Sequence, residues 1–167
     1  QAVEKLREEG TLAEISEQHF GQDDTKLTEE MIEKNETINQ EVLSQMGETE
    51  EVREVVVGTS GQTKPLNYFD DDNNLIGLEI DILEEINRRL DNINITYEIT
   101  EFASLFAGLD SGKFDLVTPN LGENEERREK FLFSLYPYVI THNVIITDTD
   151  QEPNLEIKDL AGKSFGV

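Results

Sequence analysis

Cysteine is absent from the 167-residue chain. That excludes a disulfide framework and thiolate metal centres, and it is compatible with an oxidising compartment. Proline is scarce, at 4 residues beside 11 glycines, so collagen-like and low-complexity disordered classes do not fit. Basic residues are few as well: 14 Lys and Arg stand against 37 Asp and Glu, a net charge of −23. Such a chain repels phosphate backbones and anionic membrane surfaces over a Debye length of roughly 10 Å, which argues against nucleic-acid binding. The excess is shared between residues 1–54 (−11) and 55–167 (−12), so no acidic tail accounts for it. No apolar run approaches the ~20 residues needed to cross a bilayer. The chain begins at Gln1 without Met or a basic leader. It reads as an excised piece from which any secretion signal or lipid anchor is already gone.

What is present is about one domain's worth of chain, with 36% hydrophobic residues. Residues 1–54 read as helical. Glu4–Glu9 and Leu12–His19 are separated at Gly10; Thr11 with Glu14 has the spacing of a capping box, and Gly21 closes the second helix. A third helix is expected over Thr28–Met46, where Met31, Ile38, Val42 and Met46 form a stripe interrupted by Asn35. At Glu54 the period changes. Val55–Gly58 reads as a strand followed by a turn-rich stretch, Thr59–Pro65. Asp70–Asn74 is a polar turn, and Ile80, Leu83, Ile86 and Leu90 mark a helix face. Strands are expected at Asn94–Thr100, Phe114–Val117 and Asn143–Thr147, with helices at Phe102–Leu109 and Glu123–Lys130. This alternation specifies an α/β domain with a mostly parallel sheet flanked by helices. Ligands of such sheets sit beyond the carboxyl ends of the strands, which singles out the loops Thr59–Pro65 and Pro119–Asn124.

Several motifs then occur in order: Val57-Gly58-Thr59-Ser60-Gly61, Pro65, Gly77-Leu78-Glu79-Ile80-Asp81, Gly108-Leu109-Asp110-Ser111-Gly112-Lys113-Phe114-Asp115, and Glu126-Arg127 with Phe133-Ser134 and Pro137-Tyr138. Together they resemble the extracytoplasmic substrate-binding proteins of amino-acid ABC transporters, especially the cystine type. The resemblance implies a periplasmic-binding-protein type II lobe with extra N-terminal helices. It also implies an extracytoplasmic location, a small amino acid as ligand, a membrane permease as partner, and neither enzymatic activity, metal nor cofactor.

Ala2-Val3-Glu4-Lys5-Leu6, Gly10-Thr11-Leu12, Ile15 and Phe20-Gly21 with Asp23 resemble the carboxyl-terminal end of the same family, here placed ahead of its beginning. The expected division is 1–25 for helices packing on lobe 1, 26–53 for a helical linker, 54–155 for lobe 1 and 156–167 for the start of lobe 2, from Asp159-Leu160-Ala161-Gly162-Lys163. A junction between tandem domains and a circular permutation both explain the order. The 28-residue bridge is long for a connection inside a compact domain and favours the junction, with a tandem or domain-swapped lobe as a further partner.

By that resemblance Arg127 grips the ligand carboxylate, for which a guanidinium supplies a planar fork of donors. Composition alone favours a surface ion pair among Glu123, Glu125, Glu126 and Glu129; the motif reverses that for Arg127 only, and Arg128 is read as a surface residue. The resemblance gives Asn120 a side-chain contact and Gly122 a backbone one, with the following helix aiming N–H groups at an anion. Asn124 stands where relatives usually carry Thr, and Ser60 lies in the first loop. Many relatives carry an aromatic wall where this chain has Thr63. Phe102 or Tyr68 could replace it, although Phe102 also fits the core face of Leu105, Phe106 and Leu109.

Other signals carry less. Asp70–Asn74 lacks the sixth-position Gly and twelfth-position Glu of a calcium loop. His19 and His142 have no ligand spacing, and no serine sits in a nucleophile elbow. Asp115 reads as a strand anchor beside Lys113. A dehydratase-type enzyme on the same scaffold would need an apolar-flanked carboxylate in the two loops, and there is none; a receptor sensor domain differs only in neighbouring sequence.

Overall fold

The computed structural model describes residues 2–33, 51–118, 121–141 and 157–162. Most of the expected third helix, the strand at Asn143–Thr147, His142, Asn120 and half of 156–167 lie outside them; residues 29–33 are helical.

Three parallel strands form the main sheet, in the order β5-β1-β6: β1 (Arg53–Thr59), β5 (Ile93–Ile99) and β6 (Leu116–Val117). β1 is central, matched to β5 from Arg53↔Ile93 to Thr59↔Ile99 and to β6 through Val57↔Leu116 and Gly58↔Val117. Its β-branched run explains the choice: Val57 is buried, and alternation sends Gly58 to the opposite face. Gly58 belongs there because the ring of Phe114 occupies the space; a Cβ would lie 2.6 Å from it, and 2.3 Å at Gly108. Gly108 lies on α4 (Phe102–Asp110), the helix following β5. Phe114 thus seats α4 on the sheet through two glycines.

After β1, where the sequence shows only a turn-rich stretch and a polar turn, the chain makes a small antiparallel sheet: β2 (Gln62–Thr63), β3 (Asn67–Phe69) and β4 (Leu75–Ile76). The Asp70–Asn74 turn joins β3 to β4, and Asp70 accepts from the amides of Asp72 and Asn74 at 3.0 and 2.7 Å. Those bonds hold its carboxyl below the usual range. Its oxygens serve the turn.

α3 (Leu78–Arg89) crosses from β4 back to β5. No side chain caps it; Leu78 and Glu79 donate their first-turn amides to the carbonyls of Pro65 and Leu66, at 3.1 and 2.9 Å. Its apolar face meets α1 (Ala2–Glu8) and α2 (Thr11–Phe20) in one core of Leu6, Leu12, Leu66, Leu78 and Ile82. The first 25 residues therefore contribute two of the most deeply buried side chains, Leu6 and Leu12.

Polar contacts fix the hairpin. Arg89 pairs with Glu9 and donates to the Thr11 hydroxyl at 3.1 Å, while His19 Nε2 lies 2.6 Å from Asp81. The capping box does not form: Gly10, in the left-handed region, takes the cap position, and Thr11 is the first helical residue, turned to Arg89. Arg7 donates to the carbonyls of Thr25 and Pro137, and Ile140 N donates to Asp24 O at 2.7 Å, joining residues 131–141 to the hairpin.

Candidate ligand-binding site

The carboxyl ends of β1, β5 and β6 converge, and their ladder continues one residue beyond the strands: Thr100 N donates to Thr59 O and Thr118 N to Gly58 O, both at 3.0 Å. Ser60 leaves β1 at this edge and is buried. Its hydroxyl donates to Asn67 Oδ1 and accepts from Gln62 N, each at 3.4 Å. Gly61 follows with φ of 64°, its amide on the same Asn67 oxygen at 3.1 Å. The ring of Phe69 leaves no room for a Cβ there. Thr63 sits half-buried in β2, opposite Asn67.

Beneath this loop is a buried polar network whose members the sequence analysis did not assign to the site. Asn67 Nδ2 donates to Glu79 Oε2 at 2.5 Å and to Thr118 O at 3.3 Å. Glu79 is 2% exposed and also accepts from the Tyr138 hydroxyl. Burial, then the Glu79 charge, pushes the Tyr138 phenol up. The hydroxyl oxygens of Thr59 and Thr118 are buried without a hydrogen-bond partner among the described residues. One signal was available in advance: Glu79 is the acidic member of an otherwise apolar run, Leu78 to Ile82 apart from Asp81, at the start of α3.

The second loop leads from β6 into α5 (Glu125–Lys130), a helix of six residues. Asn124 caps it, accepting from Arg127 N at 2.8 Å, so this side chain is engaged with the helix itself. Arg127 Nη1 donates to the carbonyl of Gly122 at 2.8 Å, bringing two of the expected site residues together across the turn. Arg127 also borders a cavity of about 130 Å³ with Phe106, Glu126, Lys130 and Phe131. No hydrogen bond joins Arg127 to Ser60, which belongs to the Asn67 network. Arg128 pairs with Glu123 and lies over the Phe133 ring.

Phe102 opens α4 and is 49% exposed, outside the core that Leu105 enters. It stands edge-on to Phe106 at 6.0 Å, and Phe106 lies 5.3 Å from Phe131. An aromatic row thus runs from the end of β5 to the cavity beside Arg127. Tyr68 lies under the ammonium of Lys64, and Asp115 exchanges hydrogen bonds with Val56, its carboxylate accepting from Val56 N at 2.9 Å. No cluster that could hold a metal ion occurs among the described residues.

Residues 55–157 match the model of the bacterial extracellular solute-binding proteins, family 3. The L-cystine-binding protein TcyA of Bacillus subtilis is 32% identical over 111 residues, which is 66% of this chain and 40% of TcyA. A probable histidine-binding protein of Campylobacter jejuni is 33% identical over 111 residues, 66% of this chain and 42% of its own. A solved structure described as a putative L-cystine ABC transporter from Listeria monocytogenes overlays 49% of this chain and 35% of its own, at 30% identity and a TM-score of 0.48. The chain spans less than half the length of these relatives, which are binding proteins rather than enzymes. By its match over more than half its length, the chain belongs to the family 3 bacterial extracellular solute-binding proteins.

Proposed function

We propose that this chain is the ligand-binding first lobe of a protein that captures a small amino acid, cystine-like or polar, and delivers it to a membrane ABC transporter permease outside the cytoplasm. Within the family match, the Arg127–Gly122 contact at 2.8 Å is the observation that supports the reading most directly. It ties the guanidinium to the loop beyond β6, where a sheet of this kind receives ligands. Arg127 holds the carboxylate of a zwitterion, while Asn120, Gly122 and Ser60 supply polar contacts. Phe102 takes the place of the wall that Thr63 cannot provide. A second lobe closes over the ligand, with hinge strands absorbing the motion. Residues 1–25 pack on lobe 1, residues 26–53 form a helical linker, residues 54–155 form the body of the lobe, and the second lobe starts within 156–167.

Ligand sites bury ~70–90% of the ligand, so one lobe provides only part of the enclosure and the isolated chain binds weakly. Calorimetric titration of the full-length protein with L-cystine, L-histidine, L-arginine and a panel of neutral amino acids tests the reading. Saturable binding of at least one, strongly weakened in the isolated 167-residue chain, is the expected result. No binding across the panel, or sub-micromolar binding by the single lobe, overturns it.

A further inference from the structure

We propose that Asn67 and Glu79 are positioning residues, which together set the separation of the two loops that carry Ser60 and Gly122. The inference rests on the binding reading above and names the machinery beneath that site. Asn67 is fully buried, and its amide uses its whole hydrogen-bonding capacity: Oδ1 accepts from Gly61 N and the Ser60 hydroxyl, and Nδ2 donates to Glu79 and to Thr118 O. A single side chain thereby spans the end of β1, the end of β6 and the start of α3. Ser60 and Gly61 form the first loop, and Thr118 is the last described residue before the second. A shift of Asn67 moves the first loop together with the end of β6, from which the second loop departs.

Glu79 sets the direction of that amide. Its Oε2 accepts from Nδ2 at 2.5 Å, so the oxygen of Asn67 must face the loop and its nitrogen must face β6 and α3. Glu79 Oε1 accepts from Tyr138, which extends the arrangement to the segment that Arg7 and Asp24 bind to the N-terminal hairpin. Glu79 is placed by its own backbone, since its amide donates to Leu66 O, one residue before Asn67. Both ends of the pair are anchored in regular structure, as a site support has to be.

Swapping the polarity of the pair tests this. Asn67→Asp keeps the oxygen facing Gly61 and Ser60 but sets an acceptor against Glu79 and Thr118 O. Adding Glu79→Gln restores an N–H···O contact between the two positions with the direction reversed. In the full-length protein titrated with L-cystine, L-histidine and L-arginine, N67D lowers the affinity for whichever amino acid binds by about tenfold or more, the cost of misplacing one buried hydrogen bond. N67D/E79Q recovers part of that loss, because the 67–79 contact returns while the acceptor facing Thr118 O remains. Leu12→Ala, in the core shared by α1, α2 and α3 and outside the polar network, lowers stability without the same loss of affinity.

Amide hydrogen exchange in the unliganded protein reads the positioning without any ligand: Gly61 N–H loses protection in N67D relative to Val57 N–H and regains it in the double variant. If N67D does not fold, E79Q alone carries the test, because its amide offers one acceptor where the carboxylate offered two; Gly61 exchange then rises and affinity falls. Unchanged Gly61 exchange, absence of recovery in the double variant, or an affinity loss no larger than that of L12A at equal stability overturns the proposal. A wild-type protein that binds no probe while Gly61 responds as described overturns the binding reading and leaves the positioning network standing.

Discussion

Gly77 lies directly beneath the carbonyl of Leu66: a Cβ on Gly77 would stand 2.3 Å from that oxygen, in a backbone with φ of 130°. The same oxygen accepts the amide of Glu79 at 2.9 Å, so the approach is what caps α3. Gly77→Ala therefore meets backbone that cannot move without uncapping the helix, and it should destabilise the protein by about 2–4 kcal/mol. Gly112→Ala has positive φ but open space around it, and it should cost only about 1–2 kcal/mol. Denaturant titration of both variants checks the ordering; equal costs would show that the contact with Leu66 is irrelevant.

The N-terminal hairpin shares one core with α3. Leu12 is 1% exposed against Leu66, Leu78 and Ile82, and Leu12→Ala should cost about 2–5 kcal/mol. Deleting residues 1–25 should expose those three side chains and bring a cooperative loss of structure together with binding of a hydrophobic dye. A deletion variant with an unchanged unfolding midpoint would contradict the packing.

Arg127→Gln separates binding from folding. The side chain is half-buried on a short helix, so the unfolding free energy should change by less than about 0.5 kcal/mol. Ligand affinity in the full-length protein should fall by ~2–5 kcal/mol, the usual loss when a carboxylate loses its buried cation. Arg127→Lys keeps the charge but not the fork and should recover only part. Calorimetry with the best-bound amino acid decides; undiminished affinity in R127Q removes Arg127 from the site.

Tyr138 and Tyr97 both have phenols pushed up by burial, with Glu79 and Glu84 adding to the effect. A folded-state value above the unfolded 10.0 means that their contribution to stability is complete below about pH 10 and is lost as the pH rises beyond it. Alkaline unfolding should coincide with the appearance of tyrosinate absorbance, and Tyr138→Phe should reduce the slope of stability against pH in that range. Glu85 works at the other end. The hydrogen bonds of Arg88 and Arg89 hold its carboxyl down to about 2, so its contribution is present above 4.5 and fades as the pH falls toward 2. The three side chains form a surface network screened by solvent, so the effect is small. Guanidine melts at acid pH of Glu85→Gln beside wild type check it.

The strands β1 and β5 and the helices α3 and α4 were legible because each follows from a local pattern, such as the β-branched run of 55–57 and the apolar face through Ile80, Leu83, Ile86 and Leu90. Thr11 was misread because a capping box has a spacing that sequence shows, whereas the hydroxyl's choice of Arg89 depends on a helix 78 residues away. The β2–β3 pairing was invisible for a related reason: strands of two and three residues have no period, and their partners had to be folded into place. Arg127 was singled out only through the motif around it, since six consecutive charged residues look like any solvated helix.

Charge, the lack of cysteine, the α/β alternation and the order of the family's motifs were settled by the chain alone, because composition and period are properties of neighbouring residues. Tertiary structure alone decided that Asn67 meets partners 12 and 51 residues distant, that Leu6 and Leu12 close the core over α3, and that Gly77 must lack a side chain. A buried amide is satisfied, and a methyl is excluded, only by atoms that folding brings from elsewhere, and no local pattern records which atoms those will be.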